Sequence, residues 1–100
     1  MTLVTHGNTL RVEGLTELNA TNAASFRDQV RAALQGGHTQ VDLDLNQTRF
    51  IDSSGLGSLI AIHKTLCGRQ GIIRLINPTS QVLQILELTR MHRIFEIAKS

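Results

Sequence analysis

The chain predicts a single α/β domain over residues 1–100, with a mixed, mostly parallel sheet in the order β-β-α-β-α-β-α-β. Three observations carry that expectation. Short segments such as Thr9–Glu13 and Val41–Leu45 alternate polar and apolar residues, the period of half-buried strands. Between them lie segments with apolar residues three and four apart, the period of amphipathic helices. No linker, repeat or low-complexity tract interrupts the 100 residues, and a chain of that length closes one core without a disulfide or metal.

The elements follow in order. Thr9-Leu10-Arg11-Val12-Glu13 is a strand whose hairpin partner is Leu3-Val4-Thr5, with His6-Gly7-Asn8 as the turn and Gly14 ending the pair. A helix follows, capped by Asn19 or Thr21, with Ala23, Phe26, Val30, Ala33 and Leu34 at helical spacing and Gly36-Gly37 as its stop. Val41 to Leu45 is the next strand, and Asn46-Gln47-Thr48-Arg49 a polar loop. Phe50-Ile51 leads into Asp52-Ser53-Ser54-Gly55. From there Leu56, Leu59, Ile60, His63, Leu66 and Cys67 trace one face of a second helix, which Gly68 and Gly71 bring to an end. Ile72 to Ile76 is nearly continuous apolar sequence and predicts a central strand buried on both faces. Asn77-Pro78-Thr79-Ser80 is a helix start with the proline in the first turn, and Ile94 to Ile97 is the last strand. The intervening run of Val82, Leu83, Ile85, Leu86 and Leu88 covers more than one helix face. It predicts core packing, with an exposed apolar strip for a partner as the alternative. In such sheets sites gather beyond the carboxyl ends of parallel strands, where Asp52–Gly55 falls.

Composition narrows the function. Hydrophobic residues at 41% and charged residues at 18% fit a compact protein and not a disordered one. The net charge is +2, the basic residues are scattered, and three phenylalanines are the only aromatics, so neither the basic stripe nor the stacking platform of a nucleic-acid binder is present. Cys67 is the single cysteine, the N-terminus has no basic-then-apolar leader, and no run approaches about 18 apolar residues. The expected address is therefore cytoplasmic, without a membrane span, and the expected state a monomer or weak dimer. His6, His38, His63, His92 and Cys67 lack ligand spacing, so no metal or cofactor is expected. His63 is expected as a packed or boundary residue and Cys67 as a small buried hydrophobe. Neither Ser53 nor Ser54 has the glycine two positions before it that a nucleophile elbow needs, and Ile60 stands where a dinucleotide loop would place its third glycine. The chain is expected not to be an enzyme.

Asp, Ser, Ser and Gly before an amphipathic run are a strong helix start. Asp52 or Ser53 can accept a hydrogen bond from a free N–H of the first turn, and the carboxylate suits the positive end of the helix dipole. Capping alone is one explanation of the segment. Gly55 and Gly57 go further, because each costs about 1 kcal/mol relative to alanine in a helix. Something must approach the backbone there, whether a neighbouring strand or a partner; packing inside the fold explains one glycine more easily than two.

Phe50-Ile51-Asp52-Ser53-Ser54-Gly55-Leu56-Gly57, preceded by the strand Val41–Leu45, resembles the signature of bacterial anti-sigma factor antagonists of the STAS-domain type. The likeness extends over nearly the whole chain. It implies a STAS-like fold, Ser53 as a phosphoacceptor, and a partner surface formed by Asp52, Ser53, Ser54, Gly55, Leu56 and Gly57. It implies as partner an anti-sigma factor that is also a serine kinase. The unphosphorylated antagonist binds this partner, phosphorylation breaks the complex, and a PP2C-type phosphatase resets it. Ser54 is either a capping neighbour or a secondary contact; Arg49 is either a solvated loop residue or a partner for the phosphate. Two further readings keep the fold: the STAS subunit of an ABC-type lipid transport complex, and a scaffold that is never phosphorylated. Members of the transport kind tend to carry a Thr-Gly-type segment after the aspartate, so Ser53-Ser54-Gly55 favours the switch. Many relatives continue into a further helix, whereas this sequence reaches Lys99-Ser100 without one, which puts any role of that helix in doubt.

Overall fold

A computed structural model describes residues 1–99; Ser100, the last residue of the expected domain, lies outside the described residues. The N-terminal hairpin pairs β1 (Thr2–His6) with β2 (Thr9–Glu13) antiparallel. His6 pairs with Thr9, so the turn is the two residues Gly7-Asn8 and His6 belongs to the strand. Gly7 has φ +59°, the left-handed value that a tight hairpin asks of its first turn residue.

From β2 onward every pairing in the main sheet is parallel. β4 (Gln40–Asp44) lies beside β2, β6 (Ile72–Ile76) beside β4, and β7 (Glu96–Ala98) beside β6, giving the order β1-β2-β4-β6-β7. The helices α1 (Ala23–Leu34), α2 (Ser53–Cys67) and α3 (Ser80–Leu88) complete a small α/β domain with a mixed sheet, as the sequence predicts. Leu10, Val12, Val41, Leu43, Ile73 and Leu75 project from one face into the core. There they meet Phe26 and Val30 of α1, Leu59 and Ile62 of α2, and Val82 and Leu86 of α3. Each such side chain contributes about 1.5–3 kcal/mol on leaving water.

The structure corrects several expectations. A second, two-stranded parallel sheet joins β3 (Glu17–Leu18) to β5 (Phe50–Ile51). Two residues per strand are too few to show a period. β6 is central, with Ile73 and Leu75 buried against the helices; on its other face Ile72 is 44% exposed and Arg74 half-buried, and only Ile76 at its end is buried there. Thr48 is fully buried within the supposed polar loop and donates its hydroxyl to the Leu15 carbonyl. The N-cap of α1 is Asn22, not Asn19 or Thr21. Asn19 instead ties the preceding turn, its side chain accepting from Thr21 N–H and its own N–H donating to Asn22 Oδ1.

In α2 the buried face is Gly55, Leu56, Ser58, Leu59, Ile62 and Leu66, rotated from the stripe the large apolar residues suggest. The small residues on this face, Gly55 against β3 and β5 and Ser58 toward α1, escape a pattern of large residues. Ile60 and His63 lie at the boundary, His63 edge-on to Phe95 at 5.7 Å. Cys67 is exposed and not buried, with its sulfur 3.5 Å from His63 Nε2. Pro78 precedes the N-cap Thr79 and so stands outside α3, whose core residues are Val82 and Leu86; Leu88 is 77% exposed. A 3₁₀ turn at Met91–Arg93 displaces the last strand to Glu96–Ala98.

Candidate functional site at the start of the second helix

Asp52 organises the site. Its extended backbone (φ −98°, ψ −173°) places its carboxylate over the first turn of α2, where Oδ1 accepts the Gly55 N–H at 2.9 Å. The other oxygen, Oδ2, accepts the Ala20 N–H at 3.0 Å, and the Asp52 N–H donates to the Leu18 carbonyl at 3.1 Å. One residue therefore caps α2 and ties it to the segment between β3 and α1. Of the two candidate caps, Asp52 is the one used.

Gly55 completes that junction. A Cβ there would fall within contact distance of the Leu18 carbonyl oxygen and 2.9 Å from Ile51 Cγ2, so any side chain would force β3 and α2 apart. Gly57 differs. It is exposed, and a Cβ at that position would meet nothing within 4 Å. The fold accounts for one glycine and leaves the other without an internal reason.

Ser53 and Ser54 are exposed, and their hydroxyls make no hydrogen bond among the described residues. Ser53 is the first residue of α2, at the positive end of the helix dipole. Leu56 is 8% exposed and belongs to the core. Of the six motif residues, then, Ser53, Ser54 and Gly57 face outward, Asp52 is half-buried, and Gly55 and Leu56 hold the helix in place. Arg49 is exposed beside Thr16 and Glu17, and no ion pair joins its side chain to another described residue.

Beside the motif a groove of about 420 Å³ runs between α1 and α2. Ala20, Ala24 and Arg27 form one wall, Ser54 and Gly57 the other. Neither the Ala20 N–H that holds Asp52 nor the placement of Arg27 has a local sequence signal, because both act across the fold. Among the described residues no three His, Cys, Asp or Glu side chains gather as a metal site, and no helix is long and apolar enough to cross a membrane.

The open face of the sheet is organised differently. Arg74 grips Asp42 with two bonds, Nε to Oδ1 at 3.0 Å and Nη2 to Oδ2 at 2.9 Å, and Gln40 donates to Oδ1 at 2.8 Å. The Arg74 hydrogen bonds hold the Asp42 carboxyl below its ordinary value against the opposing effect of burial, with Gln40 and the nearby Arg11 helping. Arg11 in turn bridges Glu13 and Asp44 at 2.8 and 3.1 Å.

Comparison with known proteins places this geometry. The family model described as "Mlab, STAS domain" matches residues 1–97. A candidate anti-sigma factor antagonist of Thermotoga maritima is 34% identical over 82 residues, 81% of this chain and 73% of that protein. A crystal structure of a candidate anti-sigma factor antagonist from the same organism superposes with a TM-score of 0.92 at 28% identity, over 99% of this chain and 86% of the other. The Bacillus anti-sigma factor antagonist SpoIIAA shares the fold. Its unphosphorylated form gives a TM-score of 0.72 at 19% identity, over 99% of this chain and 86% of the other. Its phosphorylated form gives 0.70 at 22%, over 97% and 89%.

Proposed function

This chain belongs to the STAS domain family, which includes the anti-sigma factor antagonists, and we propose that it is a phosphorylation-switched member. Its unphosphorylated form binds an anti-sigma factor with serine kinase activity. That partner phosphorylates Ser53 and is released, and a PP2C-type phosphatase restores the binding form. The chain acts in the cytoplasm as a binding module and performs no catalysis of its own. Asp52, Ser53, Ser54 and Gly57 form the partner surface, with Gly55 and Leu56 seating the helix that carries it.

The observation that carries the reading is the setting of Ser53. Its hydroxyl is exposed and has no partner among the described residues, at the first position of α2, on a helix start held from both sides by the Asp52 carboxylate. The Ser53 and Ser54 N–H groups have no acceptor among the described residues and are open to phosphate oxygens. Phosphate adds a charge of about −1.5 to −2. The helix terminus stabilises that charge by about 0.3–1 kcal/mol, so the free domain tolerates it. The effect falls on the complex, where a phosphate desolvated beside Asp52 is unfavourable; about 4 kcal/mol of penalty removes three decades of affinity. The occurrence of SpoIIAA in both forms, matching this chain almost equally well, supports a switch that leaves the fold alone.

The test is incubation with the anti-sigma factor serine kinases of the same cell and ATP, with the modified residue mapped by mass spectrometry. Phosphate is expected on Ser53 of the wild type and absent from Ser53→Ala, with matching circular dichroism for both forms. Equal phosphorylation of Ser53→Ala refutes the site. No phosphate on any residue leaves the unphosphorylated scaffold or the transporter subunit as the reading in force.

A further inference from the structure

The groove between α1 and α2 has no task inside the fold. Alanine favours a helix over glycine and would fit at position 57, yet glycine stands there, exposed on the groove wall. Across from it, Ala20 and Ala24 are exposed as well, so both walls stay low enough for another main chain to come close.

The only charge lining the groove among the described residues is positive, with the Asp52 carboxylate, held by the Ala20 N–H, at its mouth. Arg27 is the single ionisable residue lining it, and its side chain is 37% exposed. Its carboxylate neighbour is Asp28, adjacent in sequence, 67% exposed and reached only through Nε at 3.2 Å. That contact leaves the two terminal guanidinium nitrogens free of any bond to another described residue. No acidic residue occurs within α2 itself, whose N-terminus, capped by Asp52, lies beside the groove.

Resting on the function proposed above, we propose that this groove receives an acidic segment of the anti-sigma partner, with Arg27 binding a partner carboxylate and Gly57 admitting the partner's backbone. Arg27 is then the residue that selects an acidic partner, outside the signature motif altogether. A phosphate on Ser53, next to the Ser54 that lines the groove, brings negative charge to the mouth and repels the same segment. Docking and phosphorylation exclude each other through charge, without a change of fold.

The experiment is titration calorimetry of the full chain against the purified serine-kinase anti-sigma factor that phosphorylates Ser53, at two salt concentrations. Arg27→Glu is expected to bind at least about tenfold more weakly and to lose most of the salt dependence, while Arg27→Lys stays within about threefold of wild type. Gly57→Gln is expected to lose about tenfold with an unchanged or raised melting temperature, which separates lost contact from lost fold. If Arg27→Glu and Gly57→Gln bind like wild type while Ser53 still takes phosphate, the groove is not the docking site and the switch itself stands. If the wild type neither binds nor is phosphorylated by any such kinase, the proposed function fails and the groove assignment falls with it.

Discussion

The open face of the sheet and the start of α2 treat their polar groups in opposite ways. Across the sheet, register sets Arg11, Asp42, Arg74 and Glu96 in one row of alternating sign over four neighbouring strands. Arg11 and Arg74 bond to Glu13, Asp44 and Asp42, and Glu96 adds its field to that of Asp42 on Arg74. At the start of α2, the Ser53 and Ser54 hydroxyls point outward with no partner among the described residues, and across the groove in α1 Arg27 pairs only with the exposed Asp28. The first face spends its charges on itself, so it stabilises the fold and offers little to an outside molecule. The second keeps its groups available. Internal satisfaction separates the structural face from the recognition face more sharply than charge content does.

The two glycines of the motif give the strongest test of that contrast. Gly55→Ala drives a Cβ into the Leu18 carbonyl and is expected to cost about 3 kcal/mol or prevent folding, read from urea unfolding. Next in size, Arg74→Ala strands the Asp42 carboxylate, whose side chain is 10% exposed, and is expected to cost about 2–3 kcal/mol by the same measurement. Asp52→Ala loses the cap of α2 and its tie to Ala20, for an expected loss of about 1–2 kcal/mol. Hydrogen exchange should rise at the Gly55 and Ala20 amides in that variant. Gly57→Ala should have the opposite sign, raising stability by about 0.5–1 kcal/mol, because nothing in the chain opposes the added methyl. A destabilised Gly57→Ala would erase the distinction between the faces.

Acid offers a finer probe of the sheet face. The folded Asp42 pKa lies below its ordinary 3.8, so the unfolded chain takes up that proton first as pH falls. The Asp42 contribution is fully present above pH 3.8 and is lost as pH drops through the lower, folded value. Urea midpoints of wild type and Asp42→Asn should therefore differ near neutrality and converge in acid. A gap that does not close assigns the stabilisation to shape and not to charge.

Much of the main sheet was legible because its strands carry their own period: Leu10 and Val12, or Val41 and Leu43, alternate with polar neighbours as half-buried strands must. The Asp52 cap was legible for the same local reason, since aspartate before a helix has few better uses. Where one-dimensional pattern misled, the cause lay in residues too small or too few to register. Gly55, against β3 and β5, and Ser58, toward α1, lie on the buried face of α2 in place of Ile60 and Cys67, and β3 and β5 have two residues each.

By itself the sequence determined the order of the long elements, the family, and the placement of Ser53 at a helix start. Periodicity and capping chemistry act within one turn or one strand, where neighbours in the chain are neighbours in space. Tertiary structure alone decided that Gly55 is required and Gly57 is not, that Asp42 belongs to Arg74, that Asp52 reaches Ala20, and that Arg27 faces the motif across a groove. The Asp42–Arg74 and Asp52–Ala20 bonds each join residues 32 positions apart. Such contacts exist only once the core has closed, because the packing of α1 and α2 on the sheet, and no local preference, brings their ends together.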